Sequence, residues 1–167
     1  MKLTVGLLEI KNNIFKKNNI FCTLIILTIF ILDRITKSKI INDLNESAYY
    51  INDFINFDLI WNTGIGFGLL NFNSSYIYNF ITALIGSVII LIIYLSLISK
   101  ILDKLIFSII VGGAIGNFYD RIVYNAVPDF IDLHYNNFHW FTFNVADIFI
   151  TLGILIFLIR GIGKKEN

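Results

Sequence analysis

From Tyr76 to Ser99 the chain carries no charged residue at all. A helix that crosses a bilayer needs roughly 20 mostly apolar residues, so this run by itself places the chain in a membrane. Three further runs come close, at about Asn19–Ile35, Leu105–Tyr124 and Phe141–Arg160. Each reaches full length only by tolerating charge near one end. Composition agrees: 56% of the residues are hydrophobic and 15% charged, where soluble domains are nearer a quarter charged. The expected fold is all-α, with four transmembrane helices in a single integral membrane domain over residues 1–167. A small extracytoplasmic β-rich region is expected in the loop at about 39–75, where polar and apolar residues alternate around Tyr49–Trp61.

Lysine and arginine set the orientation. With the N-terminus inside, Lys2, Lys11, Lys16, Lys17, Lys100, Lys104, Arg160, Lys164 and Lys165 fall on the inner flanks, nine of the 13 basic residues. Both termini are therefore expected in the cytoplasm. The apolar run after the basic N-terminus is followed by Asp33-Arg34-Ile35-Thr36-Lys37 and not by small residues suited to cleavage, so it reads as a retained helix. A net charge of +1 suggests no nucleic-acid partner. The single cysteine, Cys22, has no internal disulfide partner and reads as a small packing residue.

This orientation brings Asp33, Asp120, Asp129 and Asp147 to the outer face, although they belong to three helices and a loop. Ionisable groups at membrane depth are expensive and point to function. Paired carboxylates with Asn117, Asn144 and Arg121 nearby suggest acid–base chemistry at the water–lipid boundary. Plainer readings exist for each residue. Arg121 can snorkel to headgroups or pair with Asp120, and an Asp at a helix start is favoured by the helix dipole. Gly112, Gly113, Ala114 and Gly116 form a small-residue face suited to close helix packing. Approach of helices three and four on that face brings Asn117 and Asp120 toward Asn144 and Asp147.

Other chemistries find little support. His134 and His139 have no cysteine and no ligand pair at helical spacing beside them, so no metal site is expected, and no cofactor. Ser87, Ser96 and Ser108 lie in apolar helix with no histidine near in sequence, and they read as poor nucleophile candidates.

Five short stretches together resemble the bacterial lipoprotein signal peptidases, the type II signal peptidase family. They are Asp33–Lys37, Asn62–Gly68, Gly112–Arg121, Pro128-Asp129-Phe130 and Phe143–Asp147. They stand in the family's order and span residues 33 to 147, most of the length of the chain. Arg34, where the family more often has glutamine, and Pro128, where it has a β-branched residue, depart from the pattern. The resemblance implies a membrane aspartyl endopeptidase of the bacterial inner membrane. Asp129 and Asp147 would be its catalytic pair, and Asp33, Asn62, Asn117, Asp120, Arg121 and Asn144 its supporting residues. Its partners would be lipid-modified prolipoproteins, cut before a diacylglyceryl cysteine, and membrane lipid. The outer loop, with Asn62 on the peptide and Phe67, Leu69 and Leu70 on lipid, would close over the substrate. A small carboxylate-dependent transporter is the alternative, but it more naturally carries its charges near the midplane.

Overall fold

The computed structural model describes residues 17–43, 48–65, 70–71, 75–136 and 138–163. Four helices in it are long and apolar enough to cross a membrane. They are α1 (Lys17–Asp43), α2 (Ser75–Ile98), α3 (Ile101–Tyr124) and α4 (Val145–Gly163). Among the described residues six strands lie between them: β1 (Tyr49–Asn52), β2 (Ile55–Asn62), β3 (Gly64–Ile65), β4 (Leu70–Asn71), β5 (Val127–Tyr135) and β6 (Phe138–Phe143).

α3 is the hub of the bundle and packs against α1, α2 and α4. Its most apolar stretch is 44% buried, against 6% for α2, which leaves α2 coated with exposed Ile, Leu, Phe and Tyr side chains such as Phe80, Leu84 and Ile90. Water would reject such a surface, whereas lipid tails accept it. Small residues let α3 approach two neighbours at once. A Cβ on Gly113 would stand 2.5 Å from the Ala146 carbonyl oxygen of α4, and one on Gly116 would stand 2.5 Å from Asp33 Oδ2 of α1. The small-residue face therefore serves α1 as well as α4, where the sequence suggested α4 alone.

β1, β2, β5 and β6 form one antiparallel sheet in that order, and β3 pairs with β4 as a separate ribbon. The alternating segment around Tyr49–Trp61 supplies β1 and β2, as expected. The sheet also recruits β5 and β6 from the connection between α3 and α4. α3 is capped at its C-terminal end by Asn125, which takes a left-handed conformation with φ 53°. Asn bears that geometry better than most side chains, so the chain reverses and β5 begins at once.

Three helix boundaries differ from the sequence reading, and one of them is the start of α3, at Ile101 and not at about Leu105. α1 runs on to Asp43 and does not stop at Ile35, which carries Lys37 into the bundle. The fourth helix begins at Val145, because Phe138–Phe143 pair with β5 as strand β6. A run of aromatics suits a pleated, half-buried surface, and Asn144 then provides a helix cap.

Candidate active site

The start of α4 is fixed by a reciprocal cap. The Asp147 amide donates to Asn144 Oδ1 at 3.0 Å, and the Asn144 amide donates to Asp147 Oδ2 at 3.2 Å. This is the logic of a capping box, in which the cap residue and the residue three further on satisfy one another's backbone donors. Here the second partner is an aspartate, so the cap also fixes a carboxylate at the mouth of the bundle.

Asn144 does more than cap. Its Nδ2 donates to Asp129 Oδ1 at 2.5 Å. Asn144, fully buried, thus holds both carboxylates at once, one through its backbone and one through its side chain. Asn62, at the end of β2, donates Nδ2 to the other oxygen of Asp129 at 2.8 Å, while its Oδ1 accepts from the Gly64 amide at 2.9 Å. Asn117 of α3 donates Nδ2 to Asp147 Oδ1 at 2.7 Å. Three asparagine side chains therefore aim N–H groups at two carboxylates.

Asp129 is 3% exposed. Burial first, and the charge of Asp147 second, push its carboxyl up to about 6, against the pull of the Asn62 and Asn144 donors and of the Lys37 charge. Pro128 does not disturb the strand that carries it. β6 pairs with β5 only from Ile131 onward, so at Pro128 the strand has a neighbour on one side, and a residue without an N–H is tolerated there.

Behind the pair lies a compact ionic network. Lys37, fully buried, donates to Asn117 Oδ1 and Asp120 Oδ2, each at 2.7 Å, and lies 3.0 Å from Asp33 Oδ1. Arg34 grips both oxygens of Asp120, at 2.5 and 2.9 Å, and Asp33 Oδ2 at 2.7 Å. Two carboxylates thus face two cations, the condition under which buried charge is bearable. Asp33 also accepts from the Ala146 amide at 3.1 Å, satisfying a free donor at the N-terminus of α4. Since Lys37 bonds Asn117, and Asn117 bonds Asp147, the network sets the direction of the amide that meets the carboxylate.

The structure brings Asp33, Asn62, Asn117, Asp120, Asp129, Asn144 and Asp147 together and turns Arg121 away, with two partners other than those the sequence suggested. Asp120 does not pair with Arg121; its partners are Arg34 and Lys37. Arg121 turns the other way and donates to the backbone oxygens of Asn117 at 3.2 Å and Gly64 at 3.1 Å, so it ties α3 to β3. The side chain of Asp120 accordingly faces α1, and of the α3 pair only Asn117 reaches Asp147. Lys37 and Arg34 were missed as site residues. The signal lay in the sequence: a lysine and an arginine, three residues apart, in the last turns of an apolar helix. Phe67, Leu69, Gly66 and Gly68 lie outside the described residues. Ser87 and Ser108 give their hydroxyls to backbone oxygens of the preceding turn at 2.9 and 2.8 Å, which leaves no activated nucleophile there. Asp132, His134 and His139 are the one group among the described residues placed to share a metal ion.

Four apolar helices and a small sheet bring two amide-held carboxylates together, an arrangement suited to acid–base chemistry. The family model for signal peptidase (SPase) II matches residues 25–162. A lipoprotein signal peptidase of Pelagibacter ubique is 52% identical over 93% of this chain and 98% of its own length. That of Thermodesulfovibrio yellowstonii is 36% identical over 83% and 92%. A bacterial membrane enzyme solved by the in meso method at 2.3 Å superposes with a TM-score of 0.73 and 26% identity, over 87% of this chain and 89% of that one. The chain belongs to the signal peptidase II family, aspartic-type proteases that remove signal peptides from prolipoproteins. This assignment displaces the transporter alternative.

Proposed function

We propose that Asp129 and Asp147 are the catalytic pair of this peptidase and that the remaining polar residues hold them in register. The observation that carries this is Asn144, bonded to one carboxylate through its side chain and to the other through its backbone. Hydrolysis of a peptide by two carboxylates needs one ionised and one protonated. The ionised one takes a proton from water; the protonated one polarises the scissile carbonyl and then protonates the leaving amine. A carboxyl raised to about 6 suits the shared proton, which belongs to the pair. Asn62, at the rim, can turn one amide proton to the substrate backbone once a peptide lies across Asp129. Arg34, Lys37, Asp33 and Asp120 position Asn117 and the start of α4, with no contact to the reacting atoms.

The sheet sits on the extracytoplasmic side and both termini in the cytoplasm, since basic residues such as Lys100, Lys104 and Arg160 flank the opposite end of the helices. The signal helix of the substrate lies in lipid and its cleavage point, before a diacylglyceryl cysteine, reaches the pair at the headgroups. The whole chain acts as one integral membrane protease domain. Incubation of the purified chain with a lipid-modified prolipoprotein yields a shortened product, and Asp129→Asn and Asp147→Asn each abolish it while still inserting normally. Wild-type turnover by either variant removes that residue from the pair. Labelling of a cysteine at position 100 from outside intact cells overturns the orientation.

A further inference from the structure

A second group of titratable side chains lies on the sheet, away from the carboxylate pair. Asp132 and His134 are two residues apart on β5 and share one face, while Asp129, three residues before Asp132, points to the other. His139 joins them through an irregularity. Leu133 pairs with Phe141, but His134 pairs with His139, so Trp140 is the extra residue of a β-bulge on β6. In a regular ladder Trp140 would stand opposite His134; the bulge puts an imidazole there instead. Re-aiming a side chain is a common use of such bulges.

The donor atoms converge. Asp132 Oδ2 lies 2.8 Å from His139 Nδ1 and 3.3 Å from His134 Nδ1. One ligand atom from each residue falls within 4.8 Å of the others. The two imidazoles stack, with centroids 5.3 Å apart. His134 is 7% exposed, and its Nδ1 is buried without a hydrogen-bond partner, because the approach to Asp132 lacks the alignment of a hydrogen bond. A buried ring nitrogen left in this state is costly. His139, 59% exposed at its side chain, opens the cluster to solvent.

We propose that Asp132, His134 and His139 form a binding site for a divalent transition cation of the zinc type. Two imidazole nitrogens and one carboxylate oxygen make a donor set such ions favour, with a fourth position left for water on the open side. The Asn56 amide supports it. Asn56 lies 3.5 Å from His134 Nε2, and its two ends are interchangeable by rotation. With Oδ1 toward the ring, it accepts the Nε2 proton and frees the Nδ1 lone pair for the ion, as outer partners of metal-bound histidines do. The ion then clips β6 to β5 and stiffens the strand that presents Asp129 on its other face. Its role is structural, apart from the proton transfers. Reading the sequence for helical spacing overlooked the cluster, since only strand alternation and the bulge assemble it.

The test uses the full chain without an affinity tag, in detergent, stripped by a chelator and titrated with Co²⁺ while visible absorption is followed. One Co²⁺ per chain should bind saturably and be displaced by Zn²⁺, and Zn²⁺ should raise Tm. His139→Ala, and the milder His139→Gln, should weaken the binding by more than the roughly 10–100-fold that loss of an outer partner costs, and remove the Tm shift. Asp129→Asn should bind Co²⁺ as the wild type does. No saturable absorption in the wild type, an unchanged titration in both His139 variants, or loss of binding in Asp129→Asn each overturns the proposal.

Discussion

The two ends of the helix bundle each bury a lysine, and they treat it differently. Lys37 is enclosed by Asp33, Asp120 and Asn117. Lys104, at the opposite end of α3, meets the Asn19 side-chain oxygen at 2.5 Å and the Leu97 carbonyl at 3.2 Å. One ammonium is matched by carboxylates, the other by neutral oxygens. The first forms part of a net-neutral cluster of two cations and two anions whose geometry is over-determined. The second fastens the turn between α2 and α3 to the start of α1. Burying charge is expensive in either place, but at the Lys37 end the bonds lead on, through Asn117, to Asp147, one of the proposed catalytic pair. The contrast separates polar groups that position chemistry from polar groups that close the bundle.

The largest expected difference between the ends lies in activity. Asp129→Asn or Asp147→Asn should reduce prolipoprotein cleavage by about 10²–10⁴-fold or more, the usual worth of a general acid or base. Asp103→Asn, at the far end, should leave kcat/KM unchanged in the same assay. A loss in Asp103→Asn as deep as in the pair would erase the distinction.

Lysine substitutions come next. Lys37→Met leaves Asp33 and Asp120 short of a partner and should destabilise by about 3–5 kcal/mol, the cost of breaking a buried ion pair, with cleavage lost alongside. Lys104→Met removes an ammonium held by the Asn19 and Leu97 oxygens, so its cost should stay within about 1.5–3 kcal/mol and its kcat should match the wild type. Thermal unfolding in detergent beside a cleavage assay reads both, and equal destabilisation by the two variants would contradict the contrast.

The pH dependence sharpens the picture at the site. A carboxyl raised in the folded state stabilises fully below its unfolded value and loses that contribution as pH rises through its folded one. For Asp129 that window runs from 3.8 to about 6. Relative to Asp129→Asn, the wild type should therefore gain up to about 3 kcal/mol as pH falls from about 8 to about 4, since each pH unit across the window contributes about 1.36 kcal/mol. Parallel stability curves for the two proteins would show that Asp129 is not the strained carboxyl. The same ionisation should set the alkaline limb of kcat/KM in the free enzyme near pH 6.

The smallest effect belongs to the far end. Arg160 bonds Asp103 at 2.7 Å, with both side chains partly exposed. Breaking the pair with Arg160→Gln should change stability by less than about 1 kcal/mol, as for most accessible ion pairs. A larger loss in the unfolding transition would mean that this end, too, depends on a specific charge pair.

Several features of this protein follow from its sequence alone. The uncharged run at Tyr76–Ser99 demands a spanning helix, because a backbone in lipid must satisfy its own hydrogen bonds. The alternation around Tyr49–Trp61 marks a strand by its period of two. Asp33, Asn117, Asp120, Asp129, Asn144 and Asp147 were recognisable as one polar group, since an apolar chain retains such residues only at a cost, and Asn62 joined them only through the family resemblance. The partners within that group were not. Nothing local shows that Asp120 takes Arg34 in place of its neighbour Arg121, or that Arg121 turns to the Gly64 carbonyl. A helix sends adjacent residues about 100° apart, so two charged neighbours on α3 must serve different elements. The sequence likewise left open how far α1 extends and where α4 begins. Those limits depend on which segments pair in the sheet, and pairing is a long-range event set by packing. Composition and period therefore determined the membrane and the helices, and the family resemblance named the candidate site residues. Only the tertiary structure decided which amide holds which carboxylate, because those bonds join residues up to 113 positions apart and exist only once α3 has drawn α1 and α4 together.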